Sequence, residues 1–260
     1  MLVVLLTLTV IVSAVAVIAR TRTTEQLVRS HAVRDARLAE LLQNSDAPIR
    51  AWLDEVAGGV VLPPETVTPM IRVTGSSMVH DGEELSIQIT AWDQLGLYPR
   101  NLMDLGIDLS ATEVAWKNSV LPGVDEAASR SAFPSAQWPA STGGLVATHN
   151  PWPTRSGATR SRSGAQININ TAPQELIVAV FEHFQLGDPS WIFVQRAAGE
   201  FVTMTQQIVG ADRAPISLVS VSRVWSFRID ARIGTIRRSC WCVYAKQGGK
   251  WRMVQRIAID

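Results

Sequence analysis

The first nineteen residues, MLVVLLTLTVIVSAVAVIA, carry no charged side chain. Only Thr7, Thr9 and Ser13 are polar, and a hydroxyl can bond back to the carbonyl one turn earlier in a helix. At about 1.5 Å per residue the segment would be roughly 28 Å long as a helix, close to the hydrocarbon thickness of a bilayer. A backbone in lipid must satisfy its own hydrogen bonds, so this length and composition predict a membrane helix. A cleavable signal peptide would instead need a basic flank before its apolar stretch and a small-residue cleavage site after it. Here the apolar run begins at Met1 and ends on Arg20-Thr21-Arg22. A retained membrane helix over 1–19 is therefore the expectation. Arg20, Arg22, Arg29, Arg34 and Arg37 follow the span, which by the positive-inside rule favours a cytoplasmic location for that side.

No Pro or Gly interrupts residues 21–43, and the stretch is rich in good helix formers. Leu27, Arg34, Leu38, Leu41 and Leu42 leave a narrow stripe on a polar rod, so the helix is expected to continue about 65 Å from residue 1. Ser45, Asp46 and Pro48 read as a stop and a fresh start. Ile49, Trp52, Leu53 and Val56 then fall at helical spacing, and Gly58-Gly59 closes the helix.

After the linker Leu62-Pro63-Pro64, strands are expected over Met70–Thr74 and Leu85–Ala91, with His80-Asp81-Gly82 in a turn between them. Residues 103–165 are poor in periodic pattern, and the arginine-containing tract 155–164 reads as a solvated loop. At 166–176 the chain reads QININTAPQEL: Asn170 or Thr171 is placed to cap a helix that has Pro173 in its first turn. A second helix is expected from Asp188-Pro189, and a short third one over Thr205–Val209. Alternation from Val219 to Ile233 predicts one long strand. Ile236–Lys246 and Trp251–Ile259, joined by Gln247-Gly248-Gly249-Lys250, complete an antiparallel meander. Its apolar face needs a cover, and the helix around Trp52 is the natural candidate.

Composition narrows the chemistry. A net charge of +1 over 260 residues argues against a protein that coats nucleic acid. Two cysteines exclude a disulfide scaffold and a four-cysteine zinc site. Cys240 and Cys242 share one strand face at the long limit of disulfide geometry, which favours free buried thiols. No phosphate-binding loop, GxSxG, HExxH or GxGxxG is present, the four histidines are scattered, and Glu83-Glu84 has no evident acid/base partner. No catalytic residue is assigned.

Two segments carry a family resemblance. Gln166-Ile167-Asn168-Ile169-Asn170-Thr171-Ala172, followed by Glu175-Leu176 and Ala179, is one. Gln195-Arg196 through Gly199-Glu200-Phe201, with the strand Ser222–Ile229, is the other. Together with the uncharged leading helix and terminal sheet they resemble the minor pseudopilins of type II secretion, K class. Asp93–Asn101 resembles a degenerate copy of that family's acidic-Gly-x-x-Asn stretch, departing from it at Tyr98-Pro99-Arg100. The resemblance leaves 103–165 unmatched.

The resemblance implies an α+β, pilin-like fold: a long N-terminal transmembrane and spine helix on an antiparallel β-sheet, with an inserted, mostly helical subdomain. The expected division is 1–19 membrane helix, 20–58 outer spine, 59–102 first strands, 103–215 insert and 216–260 closing strands. It further implies an assembly subunit that caps a secretion pseudopilus. Its partners would be I- and J-class minor pseudopilins, the major pseudopilin, the prepilin peptidase and the inner membrane. It would be single-pass, with its head in the periplasm. Most pilin-like subunits carry Glu at the fifth mature position, and K-class members lack it; here that position, counted from Met1, is Leu5. Met1 is then either the mature first residue or a miscalled start, and a lost basic leader would supply the cytoplasmic charge. Met1, Leu5, Leu27 and Leu38 are expected at assembly interfaces, and Asn168, Asn170, Thr171 and Ala172 form the family motif. Some family inserts bind calcium; Asp104, Asp108, Glu113, Asp125 and Glu126 lack loop-like spacing, so no ligand is assigned and no cofactor expected. The 167–172 segment also resembles half of a DNA-binding helix-hairpin-helix, but Leu186-Gly187-Asp188-Pro189 puts a carboxylate and a donor-less proline where phosphate amides are needed.

Overall fold

The computed structural model describes residues 2–66, 70–80, 83–96, 98–99, 107, 146–147, 166–208 and 216–259, with the backbone alone for 2–18, 74, 78, 80, 98–99, 146–147, 257 and 259. Helix α1 runs unbroken over Leu2–Asn44, and α2 follows at Asp46–Glu55. The division between them is slight. Ser45 does not cap α2; its Oγ donates backward to the Leu42 carbonyl at 2.6 Å. A single 3-10 turn, Ala57–Gly59, ends the helical region.

Strands β1 (Met70–His80), β2 (Glu83–Asp93), β8 (Val224–Ile233), β9 (Ile236–Gln247) and β10 (Lys250–Ile259) form one sheet in the order β1-β2-β8-β9-β10, all neighbours antiparallel. The β9–β10 hairpin closes through Gly248 at φ 55° and Gly249 at φ 81°, a left-handed pair that glycine adopts without steric cost. One face of this sheet carries Ile89, Ala91, Trp225, Phe227, Ile229, Ala231, Cys240, Cys242 and Tyr244. Leu38 and Leu42 of α1 and Ile49 and Leu53 of α2 bury that face. Trp52 packs edge-on against Trp225 and Phe227, with ring centres 5.1 and 5.7 Å apart. The expected cover is the one observed, extended by the last turns of α1.

Between β2 and β8 in sequence lies a second apolar cluster. Short strands β3 (Tyr98–Pro99) and β4 (Val146–Ala147) pair with each other in parallel. Strand β5 (Gln166–Asn168) is followed by helices α3 (Gln174–His183) and α4 (Ser190–Ala197), then β6 (Gln206–Ile208) and β7 (Ile216–Val219). The last two strands join β5 in a three-stranded sheet of order β5-β7-β6. Ile167, Ile169, Leu176, Ile177, Val180, Phe181, Ile192 and Leu218 fill this cluster.

Two expectations fail here. Thr205–Val209 is not a helix: Gln206–Ile208 pairs with β7, because the pairing satisfies a backbone that three residues of helix could not. The strand expected from Val219 to Ile233 is two strands in two sheets. The break falls at Ser220–Arg223, where the buried Ser220 hydroxyl donates to the Met204 carbonyl at 2.7 Å and the Ser222 hydroxyl to that of Val224 at 3.0 Å. Serines read as the outward half of an alternating strand are instead buried polar pins. The 166–208 segment carries helices α3 and α4 and the three-residue strands β5 and β6, and residues 103–165 of the expected insert lie almost wholly outside the described residues.

Candidate functional site

The five-residue turn Asn168–Ala172 is held by two buried ionisable side chains. Asp93, at the end of β2, is fully buried. Its Oδ2 accepts from Asn168 Nδ2 at 2.7 Å and from Thr171 Oγ1 at 2.5 Å, and its Oδ1 from the Leu95 amide at 2.8 Å. Burial pushes the Asp93 carboxyl above its ordinary value, against hydrogen bonds from Ser222, Thr171, the Leu95 amide and Asn168. Arg196 of α4 is almost wholly buried without a hydrogen-bonded carboxylate. Its guanidinium donates to the carbonyls of Leu62 (2.8 Å), Pro63 (3.2 Å), Ile169 (3.3 Å) and Ala172 (2.7 Å). Burial lowers its pKa to about 10, partly offset by Glu65, so it stays charged at neutral pH.

Every polar group of the motif is used. Asn168 Oδ1 accepts from the Asn170 amide at 3.1 Å. Asn170 Nδ2 donates to the carbonyls of Val202 and Ser220 at 2.9 and 3.0 Å, and its Oδ1 takes the Val202 amide at 2.9 Å. Neither Asn170 nor Thr171 caps α3, whose N-cap is Pro173 with no side-chain cap bond. Their side chains turn inward, Asn170 to the backbone of Val202 and Ser220 and Thr171 to Asp93. Asp188 does serve the start of α4: its Oδ1 accepts from the Ser190 amide at 3.0 Å and hydroxyl at 2.6 Å. The clasp has the chemistry of a joint. Three donors converge on the one carboxylate: the Leu95 amide, the Asn168 amide group and the Thr171 hydroxyl. Asp93 was legible only as part of a degenerate motif, and its signal was an acid ending an alternating apolar strand.

A second set of contacts fixes α1 to the sheet. Arg34 forms a bidentate pair with Glu83 at the start of β2. Arg238 of β9 grips Asp35 at 2.6 and 2.7 Å, which holds the Asp35 carboxyl below its usual value. Tyr244 Oη donates to Asp46 at 2.6 Å, and Asp46 also pairs with Arg50 at 2.9 Å. Leu38 is 0% exposed and packs on this chain's own sheet, so it does not offer the interface expected of it. Leu27 is 56% exposed, Val28 and Val33 are exposed, and residues 19–29 are exposed on every side. Met1 and the side chain of Leu5 lie outside the described residues. Among the described residues no helix is long and apolar enough to cross a membrane; the segment expected to do so lies almost wholly in 1–18, whose side chains are not described.

Cys240 and Cys242 are free and buried, with sulfurs 4.0 Å apart. Among the described residues no three His, Cys, Asp or Glu side chains converge as a metal site. Asp104, Asp108, Glu113, Asp125, Glu126 and the 155–164 tract lie outside the described residues.

No family model matches this chain, and no curated protein matches it. Among solved structures it is similar to a chain of the GspK-GspI-GspJ complex from the type 2 secretion system of enterotoxigenic Escherichia coli. The similarity covers 92% of this chain and 99% of that one, at 13% sequence identity and a TM-score of 0.36.

Proposed function

We propose that this chain is a pilin-like assembly subunit without enzymatic activity, a minor pseudopilin that caps a type II secretion pseudopilus and helps start its assembly. In this reading residues 1–19 anchor it in the inner membrane, with the head in the periplasm. The observation that supports it is the division of α1. Its last turns are locked to the sheet by Leu38, Leu42, Arg34–Glu83 and Asp35–Arg238, while residues 19–29 stand clear of the head. A helix exposed on all sides and continuous with an uncharged segment is suited to join a bundle of similar helices in and above a membrane. The absence of a carboxylate from residues 1–19 suits a subunit with none ahead of it, since a lone carboxylate in lipid costs at least about 2.5 kcal/mol.

The test is co-expression of the full chain with the I- and J-class minor pseudopilins of one secretion system, followed by detergent extraction and affinity purification. A stoichiometric complex is expected, and recovery of the chain alone would overturn the reading. Leu5→Glu is expected to lower incorporation into the complex without altering thermal unfolding of the head.

Deleting residues 1–19 tests the anchor separately. The shortened chain keeps every described contact of both apolar clusters. It should partition into the soluble fraction and unfold cooperatively at the temperature of the detergent-solubilised full chain. Continued membrane association would place the anchor elsewhere.

A further inference from the structure

The face of the five-stranded sheet turned away from α1 changes character along its length. Near the Asp93 end it is buried and aromatic, with Trp92 and Trp241 ring centres 4.7 Å apart. Toward the β1–β2 hairpin it opens into a groove of about 550 Å³, lined by Gly75, Ser77, Ser86, Gln88, Asp230, Arg232 and Arg237 among others. The register places these side by side: Gly75, Gln88, Asp230 and Ser239 in one row, and Ser77, Ser86, Arg232 and Arg237 in the next. The groove exists because β1 and β2 bring only small or slender residues to a face where β8 and β9 bring arginines. A Cβ built at Gly75 would meet nothing within 4 Å.

The strand bordering the groove is an open edge. Among the described residues β1 pairs only with β2. Its run Val73–Val79 contains no charge and no proline, and Val79 is 77% exposed. Such an edge presents unpaired amides and carbonyls to any extended chain. Each edge strand has one register shift, between Arg72 and Thr74 in β1 and between Met253 and Gln255 in β10, but the opposite edge is also charged: β10 carries Lys250, Arg252 and Arg256.

Charge on the groove face selects the partner. Among the described residues of the sheet, Arg72, Arg228, Arg232 and Arg237 share that face with two carboxylates, Asp230 and Glu84. Asp230 is held by Arg228 at 2.9 Å, Arg237 at 2.9 Å and Ser239 at 2.5 Å. We propose that β1 and the groove beside it receive an extended, acidic segment of a partner protein, which adds to the sheet at β1 and directs carboxylates over Gly75 and Ser77 toward Arg232. Three strand spacings separate an added strand from β8, about 14 Å. Glutamate and arginine side chains span that together only because Gly75, Ser77 and Ser86 leave the way low. A second copy of this chain fits poorly, since pairing β1 with itself would bring two arginine-rich faces together.

The full chain in detergent micelles is titrated with a blocked octapeptide of alternating Thr and Glu, with a Thr–Lys peptide, and with a backbone N-methylated Thr–Glu control. The Thr–Glu peptide is expected to bind and to slow amide exchange over residues 73–79 at least tenfold, while the other two do not. Gly75→Leu, which fills the groove, should weaken binding at least tenfold. Arg232→Glu should do the same and acquire binding of the Thr–Lys peptide, a swap that mere loss of structure cannot produce. Equal binding of both charge types, binding that survives N-methylation, protection confined to other residues, failure of the Thr–Glu peptide to bind, or pairing of the chain with itself through β1 would each overturn the proposal.

Discussion

Asp93→Ala is expected to lower the unfolding free energy by about 3–5 kcal/mol, because it strands several buried donors at once. The Leu95 amide, the Asn168 amide group and the Thr171 hydroxyl all lose their acceptor. In a chain of this size that is a fall of roughly 10 °C in Tm, read by circular dichroism on the chain lacking residues 1–19. Asp93→Asn should cost less, about 1–3 kcal/mol: its oxygen can still serve Asn168 and Thr171, but its amide then faces the Leu95 N–H. The pH dependence separates burial from hydrogen bonding as the dominant influence. A carboxyl whose folded pKa is raised holds its proton where the unfolded chain has lost it. Its stabilising contribution is complete below the unfolded value and declines as pH rises through the folded one. The stability gap between the wild type and Asp93→Asn should therefore narrow as pH rises. A gap that widens would mean that the donors hold Asp93 as an anion.

Asp35 and Asp230 work in the opposite sense. Arg238 depresses the Asp35 carboxyl. For Asp230 burial pushes upward, but hydrogen bonds from Ser239, Arg237 and Arg228 outweigh it and the net shift is down. Their contributions are present above the unfolded Asp value and are lost as pH falls through the depressed folded values. Acid should thus loosen α1 from β9 and weaken the Asp230 cluster. The Asp93 joint gains over the same direction of change.

The elements that sequence made legible are those whose burial follows one period. Leu85, Ile87, Ile89 and Ala91 alternate because β2 has one face on α1, and Ile49 and Leu53 recur because α2 lies on the same sheet. The β9–β10 hairpin was legible because two adjacent glycines accept positive φ. Legibility failed where buried groups were polar. Ser220 and Ser222 looked like the outer half of a strand, and Asn170 and Thr171 like helix caps, because residue type alone does not reveal that a hydroxyl or amide is satisfied by a distant carbonyl. Periodicity likewise says nothing about which sheet a strand joins, so β7 and β8 read as one. Of the clasp, Asn168–Ala172 stood out as a motif, and Arg196 stood out as part of another. That the two meet, with Asp93 on the same turn, is a property of the fold.

Arg196→Met is expected to cost about 3–5 kcal/mol, and Arg196→Lys should recover less than half of that loss. Arg196 satisfies four carbonyls on two separate segments, Leu62 and Pro63 in the linker and Ile169 and Ala172 in the turn. A planar guanidinium spreads its donors over that span, whereas an ammonium concentrates three at one point and carries a larger hydration cost into the interior. The loss should be local before it is global. The Leu62 amide donates to the Asn170 carbonyl at 2.9 Å, so linker and turn are also joined by backbone, and Arg196 holds the carbonyl of the same Leu62. Hydrogen exchange at Leu62 should therefore accelerate in Arg196→Lys under conditions where β8 and β9 remain protected. Arg196 and Asp93 grip the same five residues, so their losses should not add. The double variant Asp93→Asn, Arg196→Lys is expected to be more stable than the sum of the single costs predicts, by about 0.5–3 kcal/mol. Strict additivity would mean that Asn168–Ala172 is not a single joint and that each side chain stabilises its own segment alone.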